Sequence, residues 1–170
     1  MSAMHHQPDG PAFDIVLLLH VACVVVGLVT TATAAATATR LHRLLGSPLP
    51  LPQPLRRYFR PGVNWAGRTV YGIPVFGFAL IAMSQGAYAL GDGWVLGGLA
   101  IFAALVLVGE WVLWPAEQRL QVALAADDPA APQGPESPES PDHDATTMTR
   151  AAVAALVLLV AGTVLMLAQP

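Results

Sequence analysis

Few side chains in this 170-residue sequence could do chemistry, and most of those lie inside long apolar runs. His20, Gln85, Glu110 and Arg68 are polar or ionisable residues within or at the edge of segments apolar enough to cross a bilayer. Such residues are expensive in hydrocarbon, so each is a candidate for a ligand site or a proton path. Cys23 is the only cysteine, which excludes an internal disulfide and a paired-cysteine metal site. It reads as a small buried apolar residue. A membrane b-haem usually takes two facing axial ligands. His5, His6, His42 and His143 all fall outside the apolar runs, so His20 has no partner for one within the chain. His5 and His6, adjacent on a tail, make a poor metal site. No cofactor and no metal is expected. Phosphate-binding loops, dinucleotide fingerprints, zinc-protease motifs and nucleophile elbows are absent from the sequence, so nothing supports an enzyme.

The elements that must hold these residues follow from composition. Hydrophobic residues make up 55% of the chain and charged ones 11%, whereas soluble domains carry about 25% charged residues. Four apolar segments stand out: Ile15 to Thr39, Gly67 to Leu90, Trp94 to Trp114, and Ala151 to Ala168. At ~1.5 Å per residue, about twenty helical residues cross a ~30 Å hydrocarbon core. The expected fold is all-α, a polytopic four-transmembrane-helix bundle. The N-terminal stretch has acidic Asp9 and Asp14 and no basic residue, unlike a secretory signal, so the first helix is expected to be retained.

All eight basic residues are arginines. Arg40, Arg43, Arg56, Arg57, Arg60 and Arg68 flank or occupy the first loop, and Arg119 and Arg150 flank the third. An even number of crossings puts both loops on one side, which the positive-inside rule makes cytoplasmic, with both termini outside. Trp65, Trp94, Trp111 and Trp114 fall near segment ends, where indoles favour the headgroup level. The expected division is an external tail (1–14), three helices over 15–126 with a Pro/Arg-rich loop at 40–64 and a surface helical extension at 115–126, a disordered acidic Pro-rich linker (127–146), and the fourth helix (147–170). Alternating Pro48, Pro50, Pro52 and Pro54 suggest an extended spacer. Gly91-Asp92-Gly93 suggests a tight turn and an antiparallel hairpin of helices two and three.

Four arrangements follow from the positions of these residues. At 100° per residue, His20, Cys23, Gly27, Thr31, Ala34 and Ala38 lie within about 80° of one another on the first helix, a seam where another helix can approach closely. Arg68 and Glu110 have matching depth on consecutive helices and are expected to form an ion pair. Pro74 is expected to kink the second helix. Arg56, Arg57 and Arg60, with Tyr58 and Phe59, form a juxtamembrane patch suited to anionic lipid headgroups. The net charge of −3 and the membrane segments leave no nucleic-acid surface.

The LLLHV element of the first helix, the proline-bearing second helix, and a third ending in WVLWPAEQRL resemble a bacterial family of uncharacterised four-helix predicted integral membrane proteins. Through LHV the chain is also loosely similar to the membrane domain of copper-resistance D proteins. The resemblance implies a four-helix bundle in the bacterial plasma membrane, with His20 in the first helix, and no particular activity. Two functions then compete. One is a non-enzymatic accessory or structural component, embedded in lipid and joined to other subunits or to copies of itself. The other is a small oligomeric carrier or proton-coupled transporter using His20, Gln85 and Glu110, which requires one polar path connecting them.

Overall fold

The computed structural model describes residues 10–45, 50–126 and 140–168. The first span is one long helix, α1 (Pro11–Leu44), opened by Pro11, whose missing N–H costs nothing in a first turn. A short helix, α2 (Gln53–Tyr58), follows with Pro54 in its first turn. The alternating prolines thus end in a helix start rather than continuing as an extended spacer. Residues 46–49, with Pro48, lie outside the described residues.

The second span is built in pieces: α3 (Trp65–Arg68), a 3₁₀ turn (Thr69–Tyr71) and α4 (Gly72–Met83). Pro74 lacks the N–H that would bond the Val70 carbonyl, and the 3₁₀ turn sits where that bond is lost. Helix α4 ends at Met83, seven residues before the expected Leu90. Residues 84–92 form a turn-rich link in which the Ser84 hydroxyl donates to Ile81 O and accepts from Tyr88 N. Gly91-Asp92-Gly93 is therefore the end of a longer connection and not the whole turn. Gly93 already opens α5 (Gly93–Val108), which passes through a π-helical turn (Gly109–Leu113) into α6 (Trp114–Ala126). Pro115 explains that turn: its ring removes the donor for the Trp111 carbonyl and would crowd it, and the wider i→i+5 winding relieves both.

The last helix, α7 (Pro141–Leu167), starts six residues before the expected boundary at 147. Ser140 caps it, accepting from the His143 N–H, Pro141 occupies the first turn, and Asp142 and Asp144 face the positive end of the helix dipole. Residues 141–146 thus belong to the helix and Ser140 caps it, a correction to the 127–146 linker. Residues 127–139 lie outside the described residues.

Four stretches are long and apolar enough to cross a membrane: 11–44, 65–83, 93–125 and 141–167. Only 6–22% of the most apolar window in each is buried inside the protein, so most of that surface needs a lipid solvent. The helices pack in the order α4, α1, α7, α5, with α6 continuing along α7. The second and third spans follow each other in sequence but make no appreciable contact as α4 and α5, so the expected hairpin does not pack. The main core lies at the arginine-bearing end, where Ala34, Ala38, Leu41, Leu55, Phe59, Leu120, Met148 and Ala152 pack together. A smaller cluster of Val70, Leu105, Ala155 and Leu159 continues it towards the middle of the bundle.

The α1–α4 contact turns on Gly72, where an added Cβ would lie 2.5 Å from Cys23 Sγ and 3.5 Å from its Cβ. Gly72→Val should cost about 1–3 kcal/mol through overpacking. Cys23→Ala in the same chain should recover much of that loss. Chemical unfolding in detergent of the two single variants and the double variant checks this; strictly additive losses would mean that the two positions do not meet.

Candidate functional site

The buried residues of α1 are His20, Gly27, Thr31, Ala34, Ala38 and Leu41, while Cys23 is half-buried. In a bilayer, close backbone approach and side-chain hydrogen bonds hold helices together in place of the hydrophobic effect. His20 illustrates both. Its Nδ1 lies 2.8 Å from Ile73 O, across the α1–α4 contact. Gly77 makes room for the ring, since a Cβ there would lie 3.4 Å from His20 Cε1. A carbonyl only accepts, so Nδ1 carries the proton and the other nitrogen, Nε2, is left as an acceptor in the neutral ring.

His20 borders two adjoining hollows. One, of about 330 Å³, opens between α4 and α5 and is walled by Leu17, Ile73, Phe78, Trp94 and Phe102. The other, of about 290 Å³, runs behind it between α1, α5 and α7. Both share Val21, Ile73, Gly98 and Phe102 with His20, so they form one branched, largely apolar cleft. Near the link, Tyr88 meets Trp94 edge-to-face with ring centroids 5.6 Å apart.

The other candidate residues lie elsewhere. Gln85 is exposed in the link after α4, with φ +51, and does not line the cleft. This corrects the expectation that it sits inside the second helix. Glu110, exposed on the π turn, accepts a short hydrogen bond from the Tyr71 hydroxyl. Arg68 does not form the expected ion pair with it. Its guanidinium instead lies over the Trp114 ring, 4.6 Å from the centroid. The irregular turns left by Pro74 and Pro115 bring Tyr71 and Glu110 together, and Trp114 offers a face that a delocalised cation can stack on. Arg56, Arg57 and Arg60 are exposed on and just after α2, whose other face buries Leu55 and Phe59.

Sequence reasoning missed a second polar group, at the arginine-bearing end. Glu117 and Gln121, four residues apart on α6, are both buried. Glu117 Oε1 accepts from Asn64 Nδ2 (3.2 Å), and Gln121 Oε1 accepts from the Gly62 N–H (3.3 Å). Asn64 also caps α3 by accepting from the Gly67 N–H. These bonds fasten the loop before the second span onto α6. Burial first, and then the Glu117 charge, raise the Tyr58 phenol above its ordinary range. Asp144 is fully buried and accepts from Arg119 Nε at 2.7 Å, joining α6 to α7. Nearby, His42 Nδ1 and Asp142 Oδ1 pair at 2.7 Å on the surface. The i,i+4 spacing of Glu117 and Gln121, and the Ser-Pro-Asp start of α7, were the available signals. Among the described residues no cluster of three or more His, Cys, Asp or Glu side chains could hold a metal ion.

A family model described as "Predicted integral membrane protein (DUF2269)" matches residues 14–170. No curated protein and no solved structure shows significant similarity. A likeness to copper-resistance D proteins is not shown by these comparisons.

The geometry makes the Tyr71–Glu110 contact the coupled one. In double-mutant cycles, Tyr71→Phe and Glu110→Gln should be non-additive by about 0.5–1.5 kcal/mol. The cycle of Arg68→Gln with Glu110→Gln should show the smaller coupling, and the reverse order would restore the direct ion pair.

Proposed function

The chain belongs to the DUF2269 family of integral membrane proteins, and from that premise we propose a non-enzymatic binding role within the membrane. In this reading the protein is an accessory component of a larger membrane assembly, or of its own oligomer, and holds an apolar, membrane-dissolved group in the cleft between α4 and α5. The observation that carries it is the gap itself: two spans joined by a short link stand apart and leave an apolar hollow of about 330 Å³ beside His20. A volume of that size suits a small ligand. The ionisable residues at the other end support a structural role there, since Glu110, Glu117 and Asp144 each have a partner that ties elements together.

The carrier reading has less behind it. It needs His20, Gln85 and Glu110 on one polar path, and neither Gln85 nor Glu110 borders the cleft that His20 does. Arginine at one end of the bundle supports a cytoplasmic assignment for that end, with both termini outside, in the plasma membrane of a bacterium. Exposed Arg56, Arg57 and Arg60 suit anionic headgroups there.

An apolar photoreactive diazirine, added to the protein in phosphatidylcholine nanodiscs, tests the reading. Modification should reach cleft-wall residues such as Ile73, Val95 and Phe102 as well as the outer faces of the helices. Labelling confined to the outer faces would show a closed cleft and end the proposal.

A further inference from the structure

The cleft holds one polar atom whose bonding is incomplete, and that atom narrows what can fill it. His20 Nδ1 is committed to Ile73 O. Among the described residues Nε2 has no hydrogen-bond partner, and it is not among the sealed polar atoms, so it opens onto the cleft. Its lone pair is thus an acceptor left open beside a largely apolar hollow. An acyl chain would fill the space and leave that acceptor unpaired, which is costly in such surroundings. A ligand with one O–H donor would satisfy it.

The walls specify the rest of the ligand. Phe78, Phe102 and Trp94 line the hollow, with Tyr88 stacked edge-on against Trp94. Gly77 on α4 is covered by the His20 ring and Gly98 on α5 by the end of Met166, so the imidazole and a thioether complete the lining at these two points. Aromatic walls favour a flat π-bearing body over a branched one. The opening lies between two membrane-spanning helices, so an occupant enters from the lipid and its tail can remain there.

We propose that the cleft binds a membrane-dissolved phenolic amphiphile, whose hydroxyl donates to His20 Nε2 and whose ring lies among Phe78, Trp94 and Phe102. The inference rests on the binding role proposed above and adds the chemistry of the ligand. His20 is a binding residue here, and no bond is made or broken.

The probes are 2-fluoro-4-decylphenol and its methyl ether, which keeps the ring and tail but has no donor. Each is titrated by ¹⁹F NMR into the native protein in phosphatidylcholine nanodiscs, with partition into empty nanodiscs subtracted. The phenol should bind saturably and about fivefold more tightly than the ether, as expected for one hydrogen bond. His20→Phe should remove that difference while keeping the cleft filled. If that variant fails to fold, ¹⁵N-histidine labelling of the native protein gives the same reading: the phenol should move the His20 Nε2 resonance and the ether should not. Equal binding of the two probes would mean an apolar cleft without selectivity and would overturn the proposal. So would binding of neither, or discrimination that persists in His20→Phe. Diazirine labelling of the walls is indifferent to the hydroxyl, so it separates failure of this inference from closure of the cleft.

Discussion

In a bilayer the hydrocarbon around a helix is as apolar as its own leucines, so helices come together only where their surfaces let backbones approach. Here that condition is met chiefly between α1 and α7, whose facing positions are Ala34 and Ala38 on one helix and Ala145, Ala151, Ala152 and Ala155 on the other. The remaining arrangement depends on this contact. Helix α4 packs on α1 and α5 on α7, so these two helices face each other across a cleft instead of packing together. Short side chains run out towards the opposite end, where larger apolar residues line a cleft in place of a core.

Two prolines divide the molecule along its length. Pro74 and Pro115 each delete a backbone donor, and the chain answers with a 3₁₀ turn in one span and a π turn in the other. The two irregular turns face each other through Tyr71 and Glu110, and Arg68 caps the junction by stacking on Trp114. Beyond it, at the arginine-bearing end, Asn64–Glu117, Gly62–Gln121 and Arg119–Asp144 lock loops and helices with polar bonds that survive near water. On the other side of the junction His20 Nδ1 is the cleft's hydrogen bond from α1 to α4. One end is thus clamped, and the other is free to accept something from the lipid.

The sequence made the number of spans legible, though not their ends, because hydrocarbon thickness sets a plain requirement on apolar runs. Helical period made the face of α1 legible too: five of the six residues on its stripe are buried, and Cys23 is half-buried. Pairings across helices were not legible. Arg68 and Glu110 share a depth, yet rotation about each helix axis decides whether they meet, and the turns before Pro74 and Pro115 change that rotation. Gln85 looks helical within an apolar run, but φ +51 puts it in a turn that hydropathy cannot report. The early start of α7 was readable from Ser140-Pro141-Asp142, a cap, a first-turn proline and an acid, although acidic composition outweighed it.

The second and third spans are tied by side chains at the arginine-bearing end, through Asn64–Glu117, Tyr71–Glu110 and Arg68–Trp114, and stand apart as α4 and α5 at the other. Spin labels on exposed Ala82 and Leu96, neither of which lines the cleft, and a second pair at Ala66 and Val112, report the two levels by pulsed electron resonance in nanodiscs. The Ala66–Val112 pair should give a narrow distance distribution. At the cleft the separation should exceed that of packed helices, and its distribution should narrow when 4-decylphenol is added. An α4–α5 axis separation of about 8–10 Å at the level of Ala82, the ordinary distance for helices in contact, would contradict this arrangement.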